Sequence, residues 1–273
     1  MTRGRISRLC QNHQGGFHKG KVVTIGTGFL CDDGIVLCAD TQITYPTYHK
    51  YYDHKIYHHG ENNEYTTAFT FSGNPNLMRS FWDKFRDAMK LVQRPFTESK
   101  IRDVIETVLS FMDVLDNDSD GLHLLCGIVV PPSGMKFLKT ERKIVSEVHS
   151  RFDYVGVGDS SLLRYLAPLL TQRPRYKAEQ ACYLGIYLTL QAKRYVDGCG
   201  GETDGIILKK NGSSTVFSSP YPIEQALLKM EFLLGRVATF FFEDIPESEF
   251  NDHLRRFTES LQSQRPDFQR NRF

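Results

Sequence analysis

Thr24-Ile25-Gly26-Thr27-Gly28-Phe29-Leu30-Cys31-Asp32-Asp33-Gly34-Ile35-Val36-Leu37-Cys38-Ala39-Asp40 is the stretch on which the fold turns. Two apolar runs, Val22–Cys31 and Ile35–Ala39, flank Asp32-Asp33-Gly34, and an Asp-Gly pair between apolar runs closes a β-hairpin. The core therefore opens with two strands. Upstream, residues 1–21 carry Arg3, Arg5, Arg8, Lys19 and Lys21 among polar residues with no apolar period, so residues 1–23 read as an arm or propeptide outside the core.

Downstream, Tyr65–Ser72 is rich in aromatic and β-branched residues, and Gly73-Asn74-Pro75 stops it. Leu77, Phe81, Phe85, Met89 and Leu91 predict a helix over Asn76–Gln93, and Ile101, Val104, Ile105, Val108, Leu109 and Met112 predict a second over Thr97–Leu115. Strand-like runs return at Leu122–Val130, Met135–Leu138 and Ile144–Val148, then helical patterns at Ser160–Leu170 and Ala178–Tyr195. Gly205–Lys209 and Thr215–Ser218 read as strands around Lys210-Asn211-Gly212, and a last helical stretch begins near Pro222. Strands in blocks with paired helices between them argue against a βαβ parallel sheet. They predict an α+β fold, a four-layer αββα sandwich of two antiparallel sheets covered by helix pairs, over residues 24–261. Residues 262–273 form a polar C-terminal tail.

A net charge of +2, from 34 basic and 32 acidic residues, creates no field that would favour nucleic acid or anionic lipid. No apolar run reaches the ~20 residues of a membrane helix, and Met1–Gly20 has no apolar signal region, so a cytoplasmic location is expected. The six cysteines are scattered without zinc spacing and read as reduced thiols. His54, His58 and His59 suggest a metal cluster, but alternate strand residues face opposite sides and no carboxylate or cysteine spacing completes it. They read as surface or interface histidines, and no metal or cofactor is expected.

The hairpin, followed by Thr41-Gln42-Ile43-Thr44, resembles the opening of proteasome β-type subunits and their bacterial relatives among the N-terminal-nucleophile (Ntn) hydrolases. Lys55-Ile56 is similar to that family's catalytic lysine and following aliphatic residue, and Ser72-Gly73 to its small-residue-Gly pair. Gly156-Val157-Gly158-Asp159-Ser160 resembles its G-S-G-S turn, and Gly200-Gly201-Glu202-Thr203-Asp204 its S-G-G-x-x-D string. These landmarks run in order from Thr24 to about Phe217.

The resemblance implies a threonine-type peptidase that self-processes before Thr24, works through an acyl-enzyme and assembles as a homo-oligomer or ring. A threonine hydroxyl needs a base, and a terminal α-amine with a pKa of about 7.7–8.0 can supply one. Lys55, held protonated by Asp40, would tune that amine, and the Gly73 N–H would meet the oxyanion. Asp197, one residue late in the string, is the remaining catalytic candidate, while Ile43, Thr44 and Phe71 stand near the specificity pocket for a peptide or unfolded protein substrate. Val23, Val157 and Val196 replace residues of the family pattern. They keep open a non-catalytic scaffold or binding subunit that retains residues 1–23, and the fold also admits an amidohydrolase of non-peptide substrates.

Overall fold

The computed structural model describes residues 24–44, 50–61, 64–112, 121–132, 134–141, 143–156, 176–218, 220–240 and 246–270. The Asp-Gly turn closes the hairpin as read: β1 (Ile25–Leu30) runs antiparallel to β2 (Gly34–Asp40), and Cys31 N–H donates to Gly34 O at 2.8 Å. On the other side of β2 lies β11 (Thr203–Lys209), followed by β12 (Ser214–Ser218), while β10 (Phe152–Gly156) pairs with β1. All pairings in this five-stranded sheet, β10-β1-β2-β11-β12, are antiparallel.

A second five-stranded antiparallel sheet holds β5 (Ile56–Glu61), β6 (Tyr65–Gly73), β7 (Leu122–Val130), β8 (Gly134–Glu141) and β9 (Ile144–Glu147) in sequence order. A small ribbon pairs β3 (Gln42–Thr44) with β4 (Lys50–Tyr52). The described helices are α1 (Pro75–Met89), α2 (Glu98–Ser110), α3 (Ala178–Tyr195), α4 (Tyr221–Phe240) and α5 (Glu247–Arg270).

Strand alternation decides what each sheet face meets. From β2, Ile35 and Leu37 join Ile206 and Leu208 of β11 against Leu125 and Val129 of β7 and Phe137 of β8, forming the interior between the two sheets. The intervening Val36 and Cys38 face the other way, onto Ala181, Cys182 and Ile186 of α3. Beyond the second sheet, Met78, Phe81 and Phe85 of α1 and Ile101, Ile105 and Leu109 of α2 cover Phe69, Phe71, Leu124 and Cys126. Helix α4 contacts α3, and α5 contacts α4.

Local capping explains where the helices begin. Gly73-Asn74-Pro75, read as a strand stop, is also a helix start: the Asn74 side chain accepts from Asn76 N–H at 2.9 Å, and Pro75 opens the helix where a missing N–H does no harm. Thr97 caps α2 in the same way, accepting from Lys100 N–H at 3.2 Å.

Four strands escape the sequence pattern. β3 directly follows β2, β4 and most of β5 lie among the tyrosines and histidines of residues 44–59, and β10 is a short run at the edge of the first sheet. The residues from Gln262, expected as a polar tail, continue α5 to Arg270. Glu, Gln and Arg are good helix formers, and Arg255 lies 3.1 Å from Asp252 and 3.8 Å from Glu259, at helical spacing. The helix expected over Ser160–Leu170 lies outside the described residues, as do residues 113–115 at the end of the expected second helix. Among the described residues no helix is long and apolar enough to cross a membrane.

Glycines set how closely the two sheets approach. A Cβ at Gly28 would lie 2.5 Å from the Phe137 ring, and one at Gly127 would lie 2.9 Å from Ile35. Gly28→Val is therefore expected to overfill this interior and lower stability by about 1–3 kcal/mol or more, read from the midpoint of urea unfolding.

Candidate active site

The hairpin register sets the site. Gly26 pairs with Ala39, so Asp40, the last residue of β2, lies beside the start of β1. Its Oδ1 accepts from the Thr24 hydroxyl at 3.0 Å and from Ile25 N–H at 3.1 Å, and its Oδ2 accepts from Gly200 N–H at 2.9 Å. Lys55, immediately before β5, brings its ammonium to 2.6 Å from Asp40 Oδ1 and also donates to the Thr24 hydroxyl and to the Gln42 carbonyl. Thr24 is 1 % exposed, and Asp40 and Lys55 are 0 %.

A lysine seldom buries unless its charge is met. Here its three protons have three acceptors, a carboxylate, a hydroxyl and a carbonyl, so the ammonium is fully satisfied. Burial pulls the Lys55 pKa below that of an ordinary lysine, and Asp40 opposes the shift without cancelling it. Such an amine can hold or release a proton at the Thr24 oxygen.

Two glycine segments hold this cluster in place. Gly156 of β10 pairs with Ile25 at φ 101°, and a Cβ there would lie 2.0 Å from the Thr24 carbonyl oxygen. Only glycine lets β10 lie flush against Thr24. Gly200-Gly201-Glu202 is stitched to the end of β2: Gln42 N–H donates to Gly200 O at 3.1 Å, Thr41 N–H to Glu202 O at 3.0 Å, and Glu202 N–H to Thr41 Oγ1 at 2.9 Å.

The structure thus brings Thr24, Asp40 and Lys55 together. Gly73 ends β6 at φ 101°, a conformation that favours glycine. Asp197 does not join the cluster: α3 ends at Tyr195, the following turn leaves Asp197 exposed, and it takes no part in the described hydrogen bonds of Thr24, Asp40 or Lys55. Ile43 and Phe71, expected at a specificity pocket, are each 1 % exposed and sit in the core cluster with α1 and α2. Thr44 donates its hydroxyl to Gly198 O at 3.0 Å. Val196 is half-buried at the end of α3, whereas Val23, Val157, Asp159 and Ser160 lie outside the described residues. Cys199 is buried beside the site, and burial, reinforced by Asp40, pushes its thiol pKa up, so it stays protonated.

A cleft of about 400 Å³ opens next to the cluster, lined by Thr41, Tyr52, Asp53, His54, Gly201 and Glu202. At its wall His54 Nδ1 meets Asp204 Oδ2 at 2.7 Å, and the other Asp204 oxygen accepts from the Ser218 hydroxyl at 2.5 Å. His54 and Asp204 are 150 positions apart. No local spacing signals their meeting.

No protein-family model matches the sequence, and no curated protein matches it significantly. Solved structures do match. Anbu (ancestral β-subunit) from Yersinia bercovieri aligns at TM-score 0.66 and 15 % identity over 82 % of this chain and 98 % of that one. Anbu from Hyphomicrobium sp. strain MC1 aligns at TM-score 0.67 and 13 % identity, over 82 % and 100 %. The helical assembly of the Anbu complex from Pseudomonas aeruginosa aligns at TM-score 0.63 and 12 % identity, over 83 % and 100 %. At these identities the likeness is one of fold. It corrects the resemblance drawn from the motifs: the neighbours are Anbu proteins, proteasome-like ancestral β subunits, and not proteasome β subunits themselves.

The Asp40–Lys55 pair makes a stability prediction. Lys55→Met leaves a buried carboxylate without its cation, so a loss of about 3–5 kcal/mol is expected in urea unfolding. The double variant Asp40→Leu with Lys55→Met removes the unpaired charge but leaves Ile25 N–H, Gly200 N–H and the Thr24 hydroxyl without their acceptor, so it should recover only part of that loss.

Proposed function

We propose that this chain is an Ntn-type hydrolase that cleaves peptide bonds with Thr24 as nucleophile, in a proteasome-like subunit of Anbu type. The observation that carries this reading is the Thr24 hydroxyl, which accepts from Lys55 and donates to Asp40 inside a site from which water is excluded. The packing of α1 and α2 on one sheet and α3 on the other supports the four-layer αββα arrangement. A neighbour described as a helical assembly supports self-association of subunits.

The chemistry follows from this geometry. With residues 1–23 attached, the Thr24 nitrogen is an amide with no basic lone pair, and its side chain is almost wholly buried. Cleavage before Thr24 would supply a free amine as base. The hydroxyl oxygen then attacks the substrate carbonyl carbon, and its proton passes to the amine. The Gly73 N–H stabilises the oxyanion, and the Lys55 charge lowers the energy of the developing negative oxygen. As the C–N bond breaks, the proton moves to the leaving nitrogen. An ester on Thr24 remains, and water hydrolyses it. Asp40 holds Lys55 and Thr24 in register throughout. Asp197 has no part in this scheme because of its exposed position, and Ile43 and Phe71 belong to the core under α1 and α2.

Intact mass and N-terminal sequence of purified protein, beside a Thr24→Ala variant, test the reading. Wild type beginning at Thr24, with the variant retaining residues 1–23, is the expected result. Peptide hydrolysis should vanish in Thr24→Ala and fall by about 10²–10⁴ in Lys55→Ala. If both proteins keep residues 1–23 and neither cleaves peptides, the scaffold reading replaces this one. Cleavage of simple amides without cleavage of peptides would move the substrate to the non-peptide class.

A further inference from the structure

Asp53, His54 and Lys55 follow one another in the segment between β4 and β5, and each is tied to a different part of the fold. Asp53 accepts from Arg79 of α1 at 2.6 Å, and its N–H donates to Thr41 O at 3.0 Å. His54 meets Asp204 of β11, and Lys55 meets Asp40 of β2. The segment has no helix or strand of its own to hold it. Its position therefore depends on these side chains and on the Asp53–Thr41 backbone bond.

The His54 link differs from its neighbours in one respect. Asp204 lies in β11 between Ala39 of β2 and Ser218 of β12, with its side chain 4 % exposed, while the His54 side chain is 77 % exposed. A buried carboxylate on the central sheet thus holds an otherwise solvated ring at its Nδ1. Ser218 supplies a neutral hydrogen bond, and among the described residues His54 is the basic side chain within ion-pair distance of Asp204. One residue further along, the Lys55 amine has to arrive between Thr24, Asp40 and Gln42.

We propose that His54 is a positioning residue for Lys55: its bond to Asp204 clamps the 53–55 segment against β11 and so delivers the lysine amine to the Thr24 hydroxyl. The placement of the amine does not depend on the proposed hydrolysis. Only the effect on rate rests on that reading.

The clamp is also sensitive to pH. The charged groups around His54 are Asp204 on β11, Asp53 on its own segment, Glu202 in the turn before β11, Arg79 of α1 bound to Asp53, and Lys55 itself. The hydrogen bond that His54 donates to Asp204 is the main cause that raises its pKa above 6.5, with Asp53 and Glu202 adding to it. Folding therefore favours imidazolium. The charged clamp is fully present below pH ~6.5 and weakens as pH rises through the elevated value in the folded protein.

The test is a pH titration, followed by NMR, of protein carrying ¹³Cε-lysine and Thr24→Ala, which keeps residues 1–23 and so sets no titrating α-amine beside Lys55; the Lys55 signal is assigned by its loss in Lys55→Arg. With His54 present the Lys55 signal should show an inflection at a pH above 6.5, as His54 loses its proton. His54→Asn puts an amide Nδ2 where Nδ1 stood, so it should hold Lys55 in place with no inflection. His54→Ala should shift the signal at every pH; Asp204 keeps the Ser218 hydroxyl as donor in this variant, and its folding is checked by urea unfolding. In hydrolysis assays His54→Ala should lower kcat by roughly 10²-fold with little change in KM, as misplacing a reacting group by an ångström can do, and His54→Asn should restore most of the rate. An unchanged Lys55 signal in His54→Ala, or an inflection that persists in His54→Asn, overturns the clamp. An inflection that depends on His54, alongside a wild-type protein that hydrolyses no peptide, supports the clamp and sinks the proposed activity.

Discussion

The Asp40 carboxylate is the point on which the site is built. It is fully buried and accepts from four donors: the Thr24 hydroxyl, Ile25 N–H, the Lys55 ammonium and Gly200 N–H. A charge in the interior is tolerated only when it is paired and hydrogen-bonded. Asp40 meets both conditions, and in doing so it draws the start of β1, the 53–55 segment and the Gly200–Glu202 turn to the end of β2. None of these segments could drift without leaving part of a buried charge unmet.

The sheet interior supplies the rigidity that such a cluster needs. Gly26 lies on the same face of β1 as Thr24, one strand period away, and a Cβ there would come within 2.7 Å of Thr70 on the opposite sheet. Gly28 continues that face against Phe137. These contacts leave the strand little room to rise or slide, so the Thr24 hydroxyl is presented at a fixed height above Lys55. A close-packed interior transmits displacement, and the nucleophile geometry is in this sense a property of both sheets.

The fold is shared with Anbu proteins at low identity, and low identity leaves chemistry to be argued from side chains. What the side chains offer is a hydroxyl between a lysine whose charge burial disfavours and a carboxylate that restrains it. That arrangement suits proton movement at Thr24. The neighbouring cleft and the His54–Asp204 pair add a solvent-facing, titratable element within one residue of Lys55.

Local pattern made the opening hairpin, α1, α2 and α3 legible, because an Asp-Gly turn, strand alternation and helical spacing act within a few residues. It missed β3, β4, β5 and β10, which are three to six residues long: β3 pairs with β4 and β5 with β6, and β10 exists only because the distant β1 fills its hydrogen bonds. Resemblance to the family's motifs picked out Thr24, Asp40 and Lys55, and the hairpin register, itself local, accounts for the nearness of the first two. The same resemblance picked out Asp197 as well, and the end of α3 turned that residue outward. The sequence by itself therefore determined the α+β class, the hairpin and the threonine, aspartate and lysine of the site. The tertiary structure alone decided that Gly156 backs Thr24, that Gly200 completes Asp40 and that His54 meets Asp204. The physical reason is that each of these contacts joins residues more than a hundred positions apart, where no periodicity or spacing carries information and only the packing of the two sheets brings the chain together.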